Sequence, residues 1–212
     1  MMIGVTGAIG SGKSVVSRML ASALNCPFVS LDLLCRELME PKGDGAQFLK
    51  IRYGSLYFHA DGSLDRARLR EAIFQDPMFR KELDGILHPL AIKKMRQECE
   101  SLHAETIVVE VPLLFEAGWQ KEFERVVVVY AEEQVCLQRI IMRDRVDPQN
   151  ALRALEAQIP MVEKVWRADH VVDNNGSLLA VLLQVKHLAG YLQRVENKNG
   201  IKKNVDRSPG RQ

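Results

Sequence analysis

Eight residues near the start of the chain, Gly7-Ala8-Ile9-Gly10-Ser11-Gly12-Lys13-Ser14, restrict its possible folds more than any other segment. They satisfy G-x-x-x-x-G-K-[ST] at every specified position. Before them runs the short apolar stretch Met1–Thr6, a buried first strand by its pattern. After them Lys13–Leu24 reads as a helix, with Val15, Val16, Met19, Leu20, Ala23 and Leu24 at the apolar positions. A strand–loop–helix of this composition wraps phosphates. Its glycines let backbone N–H groups approach closely, and the helix start adds unpaired N–H groups and the positive end of its dipole. Lys13 is expected on the β- and γ-phosphates, and the Ser14 hydroxyl in the shell of a Mg²⁺ ion. The expected nucleotide site is therefore Gly7, Ala8, Ile9, Gly10, Ser11, Gly12, Lys13 and Ser14, with Val15 just beyond. A plain Gly-rich turn is the alternative, but it leaves the lysine and serine in register unexplained.

The rest of the chain alternates strand and helix patterns. Phe28–Leu31 reads as a second strand ending at Asp32; Thr106–Val111 and Arg125–Tyr130 are continuous apolar runs, as in parallel strands covered on both faces. His170–Val172 is a short last strand, and Ser177–Leu192 a packed helix. Glu132–Arg143 and Asn150–Val165 are predicted helical, the second despite Pro160, and His88-Pro89 is predicted to break or kink a helix. This alternation predicts an α/β fold, a parallel sheet flanked by helices. The predicted layout is a core of residues 1–31 and 105–192, an inserted helical lobe at 32–104 and a small lid at 139–150. A polar tail from 193 to 212 completes it.

Composition excludes several classes. The formal charge of +2 is too small to argue for nucleic acid, and six basic residues between Arg194 and Arg211 place that excess in the tail, expected to be disordered. Cys26, Cys35, Cys99 and Cys136 are widely spaced, with neither zinc spacing nor a disulfide framework, which fits a reducing compartment. No signal-like start and no apolar run of about 20 residues occurs. A cytoplasmic protein without membrane contact or obligate protein partner, a monomer, is expected.

A kinase must place an acceptor hydroxyl in line with the γ-phosphate and neutralise the charge on the transferred group. Asp32 follows a strand, at the sheet edge where open α/β folds bind ligands. It could orient the hydroxyl and take its proton, or serve as a helix cap. Arg139 and Arg143 are four apart on one helix face and suit a closing lid; the alternative is a solvated face paired with Asp144 and Asp147. Arg145 follows just beyond. Arg66, Arg68 and Arg70 either bind anionic groups of the acceptor or form a basic surface, and on residue grounds His88 is a structural histidine at its break. Glu110, ending an apolar strand, is either a metal-side carboxylate or the partner of a nearby base. A GTP switch would want N-K-x-D after a late strand; Asp173-Asn174-Asn175-Gly176 lacks the lysine. A small-molecule kinase fits best. A kinase for another acceptor, such as a nucleoside monophosphate, and a non-catalytic nucleotide-dependent binding protein are the alternatives.

Taken together, these segments resemble the dephospho-CoA kinase family. The phosphate loop is followed in order by Asp32-Leu33-Leu34-Cys35-Arg36, Asp61-Gly62-Ser63-Leu64-Asp65-Arg66 with Leu69-Arg70, and Leu87-His88-Pro89. Val111-Pro112-Leu113-Leu114-Phe115-Glu116, Arg139 with Arg143-Asp144, and Ala168-Asp169 with Asp173-Asn174-Asn175-Gly176 complete the set. The resemblance runs from Met1 to about Leu192. It implies a phosphate-loop kinase core with a parallel five-stranded sheet, a CoA-side helical domain and a lid. It also implies transfer of the ATP γ-phosphoryl group to the ribose 3′-hydroxyl of dephospho-CoA, the last step of coenzyme A synthesis. By the same resemblance Asp32 is the base, Lys13 the loop lysine, Ser14 the magnesium-side hydroxyl, and Arg139 and Arg143 lid residues. Arg66, Arg70 and His88 fall on the acceptor side, and Asn175 and Gly176 near the adenine of ATP. Two departures stand out. Ser30 replaces the first Asp of the family's Asp-x-Asp, and Ala8 stands where Gly is common, which is tolerable if φ there is negative.

Overall fold

Five apolar segments pair into one sheet in a computed structural model of the chain, which describes residues 1–205, with side chains except those of Phe74 and residues 196–205. They are β1 (Met2–Thr6), β2 (Phe28–Ser30), β3 (Ile107–Glu110), β4 (Arg125–Tyr130) and β5 (His170–Asp173), in the order β2-β3-β1-β4-β5. β1 pairs in parallel with β3 and with β4, and β4 in parallel with β5; Val5 stands opposite Glu110 on one side and Val127 on the other. The expected parallel five-stranded sheet flanked by helices is what forms. The uninterrupted β-branched run Val126–Val129 is wholly buried, because a parallel strand is covered on both faces.

The chain divides into two compact units, Met1–Phe28 with Ala104 onward, and Val29–His103. In the first, α1 (Lys13–Leu24) and α9 (Leu178–Val205) lie against each other and against the sheet. Ile3, Val5, Val127 and Val129 from the sheet meet Val16 and Leu20 of α1 and Val181, Val185 and Leu192 of α9. Each such side chain contributes about 1.5–3 kcal/mol by leaving water. Asn25 ends α1 in the left-handed conformation, its N–H on the Ala21 and Ser22 carbonyls, a role asparagine tolerates well.

The second unit is built on α5 (Pro77–Ser101), which packs against α2 (Leu31–Leu38), α3 (Asp44–Tyr53) and α4 (Arg66–Gln75). Its core joins Met39, Leu49, Tyr57, Leu69, Phe79 and Leu83, with Tyr53, Tyr57 and Phe79 at ring separations of 5.3–5.8 Å. Asp65 caps α4 by accepting from the Arg68 N–H, and Asp76 caps α5 by accepting from Met78 and Phe79. Gly62, at φ +85°, turns the chain so that Phe58 bridges Leu64.

Four elements differ from the sequence reading. The second strand stops at Ser30, and Leu31 already belongs to α2. His88-Pro89 does not break its helix: α5 continues through it. Pro89, having no N–H, forfeits the bond to the Gly85 carbonyl. Buried Phe79 and Leu83 before it, and Ala91 and Met95 after it, hold both halves. Pro160, in contrast, does divide its predicted helix, into α7 (Pro148–Glu156) and α8 (Met161–Trp166). Last, the polar residues expected as a disordered tail from 193 are helical to Val205, the last described residue; the part of that reading covering 206–212 lies outside the described residues. None of the helices in the described residues is long and apolar enough to cross a membrane.

Candidate active site

The phosphate motif links β1 to α1. Gly10 and Gly12 adopt left-handed φ of +81° and +88°, and both are crowded. A Cβ on Gly10 would meet the Cys136 carbonyl oxygen at 2.5 Å, and one on Gly12 would meet Asn174 Nδ2 at 2.2 Å. Glycine is needed at each on both counts. Ser11 N–H closes the turn on Ala8 O at 3.1 Å. Ala8 is not among the residues at positive φ, so its methyl group is accommodated as expected.

At the far end of the loop, the Ser14 hydroxyl donates to Glu110 Oε1. Glu110 closes β3 and is only 4% exposed. Ser14, expected on the metal side, therefore meets Glu110, for which a metal-side role was one of two readings. A hydroxyl and a carboxylate are hard donors that suit Mg²⁺, which commonly takes few protein ligands and completes its shell with phosphate oxygens and water. Among the described residues no group of three or more His, Cys, Asp or Glu forms a metal cluster, so the protein side of such a shell stays small.

Arg139, on α6 (Glu133–Asp144), meets the loop from outside. Its Nη1 lies 3.4 Å from Gly10 O and 3.3 Å from Ser11 O, and its Nη2 donates to Asn174 O at 2.9 Å. Asn174 Nδ2 donates to the same Ser11 carbonyl at 2.7 Å. Because a carbonyl and the following N–H point opposite ways in a planar trans peptide, fixing Ser11 O outward turns the Gly12 N–H inward. Burial pushes the neighbouring Cys136 thiol up, while Arg139 and Lys13 pull it down, and the net shift is upward. The thiol stays protonated near neutrality and is not a nucleophile.

Arg143 behaves differently from Arg139. It is 62% exposed and forks onto Asp144, at 2.8 Å from both Nε and Nη2, the pairing weighed as an alternative from the sequence. Arg145 ends α6 in the left-handed conformation. Asn175 joins the ends of β4 and β5, since its Oδ1 accepts from Glu132 N–H at 2.7 Å, and Gly176 follows it at the surface.

In the second unit, Asp32 sits exposed in the first turn of α2, while Ser30 holds the N-cap position. Asp32 is therefore not the cap, though a carboxylate in a first turn is favoured by the helix dipole. One turn on, the Cys35 thiol is pushed up to about 11, first by burial and then by the charge of Asp32. Arg66 opens α4, half exposed, 3.7 Å from Glu40; Arg70 is exposed one turn later. His88 Nε2 lies 3.9 Å from Asp84 Oδ1 along α5. Its role at a helix break does not survive, since the helix continues through it.

Sequence reasoning passed over two residues on the loop, Asn174 and Gln158. Asn174 was seen only within a polar run, and nothing in sequence marks Gln158, whose Oε1 accepts from Ile9 N–H at 2.9 Å. Beside Ala8 a cavity of about 490 Å³ opens between Tyr130, Ala131 and the 155–162 segment. Glu132, Glu133 and Glu156 also line it, which makes it a poor place for phosphates.

Known proteins resemble this chain closely. Residues 1–180 match the family model described as dephospho-CoA kinase. Dephospho-CoA kinase of Syntrophotalea carbinolica is 41% identical over 195 residues, 91% of this chain and 92% of that protein. The Desulfotalea psychrophila dephospho-CoA kinase is 38% identical over 203 residues, 93% of this chain and all of that one. Among solved structures, dephospho-CoA kinase from Campylobacter jejuni superposes with a TM-score of 0.67 at 25% identity, covering 93% of this chain and 98% of that one. A strand-to-helix phosphate loop whose amides are aimed by side chains of its own fold, together with these matches along nearly the whole length, leads to one conclusion: the chain belongs to the dephospho-CoA kinase family.

Proposed function

We propose that the protein transfers the γ-phosphoryl group of ATP to the ribose 3′-hydroxyl of dephospho-CoA, releasing ADP and CoA. The observation that carries this reading is the loop itself, left-handed at Gly10 and Gly12 and tied at its far end to Glu110 through Ser14. Lys13 neutralises the β- and γ-phosphates, and the inward amides around Gly12 line the triphosphate. Ser14 and Glu110 would hold Mg²⁺, which would supply charge screening for the phosphates. Asp32 orients the acceptor hydroxyl and takes its proton, which a loose transition state releases late, so orientation is its larger contribution. Arg139 keeps the loop in shape, and Arg143 exchanges Asp144 for the transferred group when both substrates are bound. Arg66, Arg70 and His88 bind the acceptor's anionic side, while Asn175 and Gly176 border the adenine. The setting is the cytoplasm, and the protein works as a monomer.

A coupled ADP-release assay offering dephospho-CoA beside AMP, CMP and shikimate tests the reading. Turnover is expected with dephospho-CoA alone, and phosphorus NMR of the product should place the new phosphate on the 3′-oxygen. Equal turnover with AMP or CMP, or a product phosphorylated elsewhere, would overturn it.

A further inference from the structure

One amide of the phosphate loop is occupied by a side chain from far along the chain. Ile9 N–H donates to Gln158 Oε1 at 2.9 Å. The direction is fixed by chemistry, because the amide can only donate and only the oxygen end of a glutamine side chain accepts.

Gln158 stands in the connector between α7 and α8, and that connector is itself pinned. Gln158 N–H donates to Leu155 O at 3.1 Å. The next amide, Ile159 N–H, donates to Glu116 Oε1 at 3.0 Å, and the same oxygen lies 2.7 Å from Lys164 Nζ. Lys164 is fully buried at 0% exposure. A lysine ammonium is seldom placed in such surroundings without a paired anion, since desolvating it is costly. This ion pair therefore fixes where the connector runs, and the connector fixes Gln158.

We propose that Gln158 is a positioning residue for phosphoryl transfer, setting the Ile9 end of the loop while the Glu116–Lys164 pair anchors the segment that carries it. The proposal rests on the reading of the loop as the ATP site. Arg139 and Asn174 fix the Ser11 carbonyl at one end of the cradle, and Gln158 fixes an amide at the other. Without Gln158 the Ile9 N–H turns to water or to a loop carbonyl, and the cradle must be reordered each time ATP binds. That cost falls on the nucleotide and not on the acceptor.

The test uses the full-length protein with Gln158→Met, which keeps the length of the side chain and removes the acceptor, and Gln158→Glu, which keeps an acceptor. In Gln158→Met, amide hydrogen exchange at Ile9 should speed up by about tenfold while the Ser11 and Val15 amides are unchanged. The Kd and KM for ATP should rise by about 5- to 10-fold, the size of one lost hydrogen bond, with the KM for dephospho-CoA and the melting temperature unaltered. Gln158→Glu should restore protection at Ile9. Unchanged exchange at Ile9 in the methionine variant, no recovery in the glutamate variant, or a parallel rise in both KM values with a lower melting temperature would each overturn the proposal. Lys13→Ala separates this from the parent reading. If Lys13→Ala binds and turns over ATP like the unaltered protein, the loop assignment fails and the proposal with it. If Lys13→Ala is inactive and Gln158→Met is unaffected, only the proposal fails.

Discussion

At the residue scale, Asp32 is the one carboxylate to which we assign the acceptor chemistry. The neighbouring position that could have supplied a second carboxylate is Ser30, the N-cap residue of α2, which makes no side-chain cap hydrogen bond. Asp32→Asn keeps the size of the side chain and removes its proton affinity. It should lower kcat by roughly 100-fold and leave ATP binding unaltered, as read by steady-state rates beside ATP titration. A kcat within twofold of the unaltered protein would remove Asp32 from the reaction. Residues of this kind become candidates from sequence because their chemistry is local: Lys13 and Ser14 by spacing alone, and Asp32 by its place after a strand. Asn174 and Gln158 were not, because their value comes from where the sheet and the α7–α8 connector bring them. An asparagine after β5 touches Ser11 only because β5 lies beside β4 and β4 beside β1. Arg139 is a lid candidate by spacing, but its contact with loop carbonyls is a matter of fold.

At the scale of elements, two prolines show what pattern reading misses. Pro89 and Pro160 look equally disruptive, yet α5 runs through the first and the helix divides at the second. The difference lies in neighbours: buried Phe79, Leu83, Ala91 and Met95 hold α5 on both sides of Pro89, and the chain at Pro160 is tied sideways through Ile159 to Glu116. The last tie predicts how α8 is held. Lys164→Met leaves Glu116 without its cation in a largely buried place and should destabilise the protein by about 3 kcal/mol, seen as a lower denaturation midpoint. Adding Glu116→Leu should return only part of that loss, because it removes the unpaired carboxylate but also the acceptor of the Ile159 N–H. A single variant as stable as the original would mean the pair contributes nothing.

At the scale of the whole molecule, strand and helix alternation was enough to predict the parallel sheet, and its continuous apolar runs gave β4 to the residue. Strand order was not readable, because pairing depends on contacts far apart in sequence. A ligand that binds only the folded state stabilises all of it. Mg²⁺-ATP at 100 times its Kd should therefore add about 2.7 kcal/mol and raise the melting temperature by several degrees. Lys13→Ala should remove most of that rise at the same concentration, as differential scanning fluorimetry would show; an undiminished rise would place ATP elsewhere. The middle position of β1 carries a consequence for synthesis. Met2 pairs with Ile107, Ile3 with Arg125, and α1 rests on α9, so the segment that leaves the ribosome early waits for partners translated much later. A nascent chain arrested before β4 has emerged holds the complete phosphate motif and one flank of β1, but neither the other flank nor the Arg139 and Asn174 side chains that bond the loop, so newborn protein gains its grip on nucleotide late in translation.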